Sequence, residues 1–253
     1  MSQSKELRSQ IQQIVCPREL TEGTEVCLEG NPFSTLLFRK PHQGEIITLT
    51  DVSGKEFRGR IVKLIQDRAH VYVFEELRDL TELPYDIFLF QALPEKERME
   101  LIIQKGTELG VKVIVPFKSN HSISLKVRES RQPKAHRWQY IAVKATKQCR
   151  RACVPYIVPY CSFEQALDIA RSLELKILLL ENEKNRLSSL LKSLPPPRSV
   201  ALMVGPEGGW DEEEVERGKA VGFITLGLGE RILRTETAAI AACAILQYEW
   251  GGL

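Results

Sequence analysis

Three segments of the chain carry glycines and charged side chains of the kinds that bind and activate a ligand. They are Leu179–Asn182, Val204–Gly209 and Leu226–Thr237. Glycine lets the backbone approach a ligand closely and adopt dihedral angles that other residues resist. Arginine can supply positive potential to a reacting group, and glutamate can accept a proton from it. The segments therefore predict a binding site for a ligand.

The glycines do not match the common nucleotide-binding motifs. Ile232 stands where a dinucleotide fingerprint beginning at Gly227 needs its third glycine, and the sequence has no Gly-Lys-Ser/Thr of a P-loop. The Gly-rich loop of ordinary Rossmann-type methyltransferases is also missing. A structural alternative stays open for each segment taken alone. In it, Gly205–Gly209 is only a tight turn, and Arg231 and Arg234 are only surface residues.

Each segment follows an apolar run that predicts a β-strand, and predicted helices lie between the strands. This alternation predicts an α/β domain with a mostly parallel sheet covered on both faces. Ser162 with Gln165 predicts a capping box, and Asp211 a further helix start. The predicted strands are Ile87–Ala92, Val111–Pro116, Lys176–Leu180, Ser199–Val204 and Gly222–Leu226. The predicted helices are Glu95–Leu109, His136–Arg151, Ser162–Ser172, a short one from Asp211, and Thr235–Glu249.

The first 80 residues have a different pattern, with short strands and little helical periodicity. Five closely spaced strands of this kind predict a small β-barrel. We therefore expect two domains, residues 1–80 and 85–253. The predicted barrel strands are Thr24–Leu28, Thr35–Arg39, Glu45–Asp51, Glu56–Leu64 and His70–Phe74.

Composition narrows the class of protein. The chain has 253 residues, 43% of them hydrophobic, which excludes disorder as the main state. Its longest apolar stretch is about half of what a membrane span needs, and no secretory signal is recognised, so we predict a soluble, cytoplasmic protein without membrane association. The six cysteines and four histidines lack metal-ligand spacing, which predicts reduced thiols and no metal.

Three motifs carry a resemblance to a known family. Val204–Gly209 and Leu228–Ala238 resemble the signature loops of the RsmE family, the 16S rRNA (uridine N3) methyltransferases of the SPOUT class. Gln104–Val111 is similar to that family's helix-to-strand motif. The resemblance covers residues from about 87 to 250 and is weaker over the first 80.

The resemblance implies a fold and a cofactor. It implies a SPOUT-type α/β domain with a deep trefoil knot at about residues 178–240, an N-terminal PUA-like RNA-binding β-barrel, and a homodimer. It also implies that S-adenosylmethionine binds in the knot. The expected cofactor-binding residues are Leu180, Glu181, Gly205, Glu207, Gly208, Leu226, Leu228, Gly229, Ile232, Leu233 and Arg234.

Methylation at N3 of uridine requires that a proton leave N3 before or during attack. We predict that Arg231 and Arg234 supply positive potential, and that Glu236 or Glu207 accepts the proton or orients the base. A role for Glu236 in merely capping the last helix stays open. The implied substrate is 16S rRNA, within the small ribosomal subunit.

Charge is distributed unevenly along the chain. Lysine and arginine number 35 and aspartate and glutamate 33, a net charge of +2, yet residues 126–151 hold nine basic residues and one acid. Residues 205–217 instead hold six acids and one arginine. The basic segment is either an RNA-binding belt or a solvated helix face. The expected RNA-binding residues are Arg39, Lys105, Ser122, Lys144, Lys147, Arg150 and Arg151.

The sequence is also compatible with two alternative functions. One is another SPOUT activity, on a ribose 2′-oxygen or a tRNA base, although the Asn-containing motifs of ribose methylation are not evident. The other is a non-catalytic RNA-binding or ribosome-assembly module. The intact segments Gly205–Gly209 and Arg231–Thr237 argue against it.

Overall fold

The computed structural model describes residues 3–94, 96–122 and 137–251. The chain divides into two compact units. The larger contains residues 1–10, 83–142 and 155–253, and the smaller contains residues 11–82 and 143–154. Both units are therefore assembled from segments that are distant in the sequence.

Helices and strands are numbered in chain order over the described residues. The first half of the chain contains α1 (Gln3–Ser9), β1 (Gln12–Gln13), β2 (Glu25–Leu28), α2 (Gly30–Phe38), β3 (Ile46–Thr50), β4 (Glu56–Leu64), β5 (Ala69–Glu76), β6 (Asp86–Ala92), α3 (Lys96–Glu108) and β7 (Val111–Lys118). The second half contains α4 (Trp138–Cys149), β8 (Cys153–Val154), β9 (Tyr156–Ile157), β10 (Cys161–Ser162), α5 (Phe163–Ala170), β11 (Leu175–Leu179), α6 (Leu187–Ser193), β12 (Ser199–Val204), α7 (Glu212–Ala220), β13 (Ile224–Leu226) and α8 (Thr235–Glu249).

The larger unit is built on a parallel sheet. Its strands run in the order β10-β7-β6-β12-β11-β13, with β9 beside β7, and every pairing in it is parallel. The strands at its centre are apolar and fully buried, such as Ile87–Phe90 in β6. Strands buried on both faces read as continuous apolar runs, which is why the sequence located them. The predicted α/β class with a parallel sheet is confirmed.

The smaller unit contains a four-stranded antiparallel sheet in the order β2-β5-β4-β3. Its core includes Leu36 from α2, Leu49 from β3, Phe57 from β4 and Val71 from β5, all fully buried. A short antiparallel pair joins β1 to β8, with Gln12 opposite Val154. The segment 143–154 therefore completes this unit from far along the chain.

Two helix starts form as the sequence predicts. The Ser162 hydroxyl accepts from the backbone N–H of Gln165, and the Gln165 side chain accepts from the N–H of Ser162. Asp211 and Glu214 form the same reciprocal arrangement at the start of α7. These capping boxes satisfy N–H groups that a helix leaves without partners.

Some predictions about local structure were wrong. Residues Thr35–Arg39 lie mostly in helix α2 rather than in a strand, because Phe33 and Leu36 are three residues apart and both pack into the core. Helix α6 was missed, since its polar serines hide the buried Leu187 and Leu191. Residues 1–10 group with the larger unit and residues 143–154 with the smaller one, whereas the sequence predicts domains at residues 1–80 and 85–253.

Arg39 and Arg151 are interior residues, which corrects their assignment as RNA contacts. Arg39 is 3% exposed and donates to the backbone carbonyls of Gln12 and Ala152. Arg151 is 4% exposed, and its Nη2 lies 2.6 Å from Glu82 Oε2. Burial lowers the pKa of Arg39 to about 10, whereas for Arg151 the Glu82 carboxylate outweighs burial and raises the pKa. Both side chains hold the smaller unit together.

The described residues contain no helix long and apolar enough to cross a membrane. Nor do they contain a cluster of three or more His, Cys, Asp or Glu side chains that could hold a metal ion. All six cysteines are free, and burial raises the pKa of the Cys243 thiol to about 12, so its reactive thiolate form is disfavoured.

We predict that Glu82→Gln destabilises the smaller unit by about 3–5 kcal/mol, because it leaves the buried Arg151 without a counter-charge. The measurement is the urea midpoint of the full chain. The control is Glu76→Gln, which breaks the exposed pair with Lys55 and should leave the midpoint unchanged. Equal midpoints for both variants would show that the buried pair does not stabilise the unit.

Candidate active site

A cavity of about 410 Å³ opens where β11, β12 and β13 end. Ligands of open α/β sheets bind at the carboxyl ends of the strands, and this volume is in the usual range of about 300–1,000 Å³ for small-molecule sites. Three loops form most of its wall, and they are the three segments singled out in the sequence. The lining residues are Arg98, Leu179–Asn182, Val204–Glu207, Gly209, Trp210, Leu228–Thr235 and Ala238.

The loops after β11 and β13 are joined by their backbones. The N–H of Leu180 donates to the carbonyl of Leu226, and the N–H of Gly227 donates to the carbonyl of Asn185. Gly227 is so close to the loop after β11 that a Cβ there would lie 2.6 Å from the carbonyl oxygen of Glu183. This position therefore requires glycine, and the two loops form one wall.

Trp210 forms a second wall against Gly205. Its indole N–H donates to the carbonyl of Leu179 over 2.9 Å, and its ring stacks on Phe117 at a centroid distance of 6.1 Å. A Cβ at Gly205 would lie 2.9 Å from the indole nitrogen. Glycine at 205 thus lets the indole reach across to the end of β11.

The Thr235 hydroxyl connects three parts of the site. It donates to the carbonyl of Gly205 over 2.6 Å and accepts from the side-chain amide of Gln91 over 2.9 Å. Gln91 is the second-last residue of β6 and is fully buried. The start of α8 is thereby fixed to the ends of β6 and β12.

Charged side chains cluster beside the cavity. Arg98 of α3 places Nη1 2.8 Å from Glu207 Oε1, and its Nε is 3.9 Å from Glu236 Oε2. Arg231 and Arg234 are exposed and line the cavity. The arrangement offers acceptors for a proton and cations for a developing negative charge.

Comparison with known proteins identifies the family. A family profile described as an RNA methyltransferase domain matches residues 81–247. Ribosomal RNA small subunit methyltransferase E of Bacillus subtilis is 33% identical over 213 residues, which cover 82% of this chain and 83% of that protein. This chain belongs to the RsmE family. The resemblance carried by its motifs is confirmed.

Solved structures agree with this family assignment. Ribosomal RNA small subunit methyltransferase E of Neisseria gonorrhoeae, solved bound to S-adenosyl methionine, has a TM-score of 0.68 and 34% identity, covering 94% of this chain and 97% of that one. A Legionella pneumophila methyltransferase with bound SAM has a TM-score of 0.67 and 32% identity, covering 96% and 99%.

Most of the RsmE-type cofactor residues expected from the sequence meet at the cavity. Two of them, Gly208 and Leu226, are not among its lining residues: Gly208 packs on His121, and Leu226 supports the loop after β11 from within β13. The lining residues among those expected are Leu180, Glu181, Gly205, Glu207, Leu228, Gly229, Ile232, Leu233 and Arg234.

Only two of the three expected catalytic residues line the cavity. These are Arg231 and Arg234, whereas Glu236 does not line it. Glu236 lies in the first turn of α8, after the N-cap residue Arg234, and its Oε2 is buried without a hydrogen-bond partner among the described residues. Glu236 forms an ion pair with Arg98, which itself lines the cavity, so Glu236 contributes to the wall only through Arg98.

The expected RNA contacts come from both units. Lys105 pairs with Glu108, the Ser122 hydroxyl bonds within its own turn to Ser119, and Lys147 pairs with Glu45. Lys144 and Arg150 are exposed. The remaining basic residues of the belt lie outside the described residues, apart from the exposed Arg137; they are Lys126, Arg128, Arg131 and Lys134.

Arg98, Trp210 and Thr235 are the site residues that the sequence did not reveal. Arg98 lies more than 100 positions before Glu207, within a helix whose other features indicate only packing. Trp210 follows the Gly208-Gly209 pair directly, which was an available signal, because a large aromatic next to such a loop often forms its wall. Thr235 looked like an ordinary helix start.

We predict that Gly205→Ala destabilises the larger unit by about 1–3 kcal/mol, because the added methyl overlaps the Trp210 indole. In a Trp210→Phe background the same change should cost much less, since the indole nitrogen is gone. Urea unfolding of both single variants and the double variant measures the coupling. Gly106→Ala, whose methyl meets Val111 at an ordinary 3.5 Å, is the matched control and should be neutral or stabilising. Additive costs would contradict the role of Gly205.

Proposed function

We propose that this RsmE-family chain transfers a methyl group from S-adenosylmethionine to N3 of a uridine in 16S rRNA of the small ribosomal subunit. The observation that carries the proposal is the cavity at the ends of β11, β12 and β13, in a chain whose relatives are named for methylation of that RNA. The proposed setting is the cytoplasm, where the chain acts as a homodimer.

The residues around the cavity fit this cofactor. Leu180, Leu228 and Leu233 offer apolar surface for a flat base, and the guanidinium of Arg234 offers charge-assisted hydrogen bonds to a carboxylate. Gly229 has no side chain, and a Cβ there would meet nothing within 4 Å, so the wall is open at this point. When bound, S-adenosylmethionine supplies an electrophilic methyl group.

The chain's own task is to prepare the uridine. The proton would leave N3 for a carboxylate, and the electron pair that remains on N3 would form the new bond to the methyl carbon. The methyl–sulfur bond would break at the same time, its electron pair staying on the sulfur of the departing S-adenosylhomocysteine. Glu207 lines the cavity and Glu236 does not, which favours Glu207 as the acceptor of the two. In this proposal Arg231 and Arg234, which line the cavity, stabilise the negative charge that spreads onto O2 and O4 of the base.

The proposed trefoil knot at about residues 178–240 draws support from three contacts. Arg186 and Gly227 form a parallel bridge, the N–H of Leu187 donates to the carbonyl of Gly227, and Gly227 packs on Glu183. The chain after β13 thus runs against the loop after β11, and α8 then packs on α3, near the other half of the sheet. Knots are rare among folds, so this path is a specific proposal.

We extend the proposal to the smaller unit, as a PUA-like barrel that binds RNA. Its antiparallel sheet supports a β-rich module of this kind. Arg150 adopts a left-handed backbone at φ 57°, where glycine is favoured, and its carbonyl accepts from the Thr48 hydroxyl over 2.8 Å and from Arg58. Its side chain and that of Lys144 are exposed, and in this proposal both contact phosphates.

Methylation of 16S rRNA in vitro tests the reaction. The purified full chain should bind S-adenosylmethionine in calorimetry. With small subunits from a strain that lacks the gene, mass spectrometry of nucleosides should then show one new 3-methyluridine. A 2′-O-methylated nucleoside, or modification of tRNA alone, would indicate a different SPOUT activity. Absence of cofactor binding would indicate a non-catalytic RNA-binding module.

The salt dependence of RNA binding tests the smaller unit. We expect the double variant Lys144→Gln/Arg150→Gln to make the plot of log affinity against log salt shallower, by roughly 0.7 for each phosphate that the protein no longer neutralises. The control, Arg171→Gln/Lys219→Gln, removes the same charge from the end of α5 and from α7 and should leave the slope unchanged. An unchanged slope for the first variant would exclude Lys144 and Arg150 as phosphate contacts.

A further inference from the structure

Arg98 joins two carboxylates that come from separate parts of the larger unit. It belongs to α3, Glu207 to the loop after β12, and Glu236 to the first turn of α8. The guanidinium is 2.8 Å from Glu207, within hydrogen-bond distance, and 3.9 Å from Glu236, within ion-pair distance only. Arg98 is thus the charge that the two acids share.

The two acids occupy different positions relative to the cavity. Glu207 and Arg98 both line it, and their side chains are 29% and 28% exposed. The Glu236 side chain is 12% exposed, and its Oε2 is buried with no hydrogen-bond partner in the described chain. Glu236 is therefore the interior member of the three, while Arg98 and Glu207 both face the cavity.

This arrangement is like that of a catalytic base whose direction is fixed by a neighbouring group. Here Glu207 is the base, Arg98 is the neighbouring group, and Glu236 in turn fixes Arg98. A carboxylate that must collect a proton needs a fixed direction, and one guanidinium hydrogen bond supplies it. The loop that carries Glu207 contains Gly205, Gly208 and Gly209, so its backbone restrains that side chain little. Glu236 counters the guanidinium charge from the protein side.

We propose that Arg98 is a positioning residue for methyl transfer: it holds the Glu207 carboxylate toward the cavity, and Glu236 holds Arg98. The inference rests on the proposed function, in which Glu207 accepts the proton from N3. It assigns Arg98 and Glu236 roles that act through Glu207 rather than through contact with the substrate.

A double-mutant cycle tests this assignment. The measurement is the single-turnover rate of 16S rRNA methylation by the full chain at saturating S-adenosylmethionine, with cofactor affinity measured separately by calorimetry. We expect Glu207→Gln to lower the rate by about 100-fold or more, a usual size for removal of a general base. Arg98→Gln should lower it by about tenfold or more, Arg98→Lys should restore part of the rate, and Lys219→Gln is the control for removing one exposed cation.

The decisive comparison is between the effect of Arg98→Gln in the unmodified chain and its effect in the Glu207→Gln variant. If Arg98 acts through Glu207, then Arg98→Gln in the Glu207→Gln background lowers the rate by no more than about twofold, because residues that act as a unit are not additive. An equal decrease in both backgrounds, or a decrease caused entirely by weaker cofactor binding, overturns the positioning role. Full activity of Glu207→Gln would instead refute the proposed proton acceptor, a separate failure.

Discussion

The Thr235 hydroxyl is the contact on which the geometry of the site depends. A single oxygen donates to the loop after β12 through Gly205 and accepts from Gln91 at the end of β6. Because Thr235 begins α8, the position of the last helix and the shape of the glycine loop are set together. The side chains that follow, including Glu236, and those that precede, including Arg234, take their places from that start. A site made of loops thereby gains the rigidity of the buried sheet beneath it.

The sequence predicted best where one physical signal dominated. Strands β4 and β12 and helix α8 were located with their observed limits, because buried strands are continuous or alternating apolar runs and α8 has clear ends. It failed at α2, where Thr35–Phe38 has strand-like composition but tertiary packing of Phe33 and Leu36 determines a helix. Local propensity is a weak prior when a core is available to override it.

The candidate site was likewise predictable only where a single signal in the sequence was strong. Its loops could be found, since glycines and charges at strand ends are visible in one dimension and match a family motif. The charge network could not, because Arg98 meets Glu207 only through the packing of α3 beside the sheet. The sequence also did not show which cationic side chains are buried. Arg39 and Arg151 look like surface cations in the sequence, but each has a carbonyl or carboxylate partner inside the smaller unit.

The split composition of the smaller unit affects how the protein is made. During synthesis the ribosome releases residues 11–82 well before residues 143–154, which contain the carbonyl of Ala152 for Arg39 and the guanidinium for Glu82. Until the later segment emerges, Arg39 and Glu82 lack these partners, and the N-terminal part cannot complete its fold in the order in which domains generally do. A fragment ending at residue 82 is consequently an incomplete unit, and any excised version of it must carry the distant segment as well.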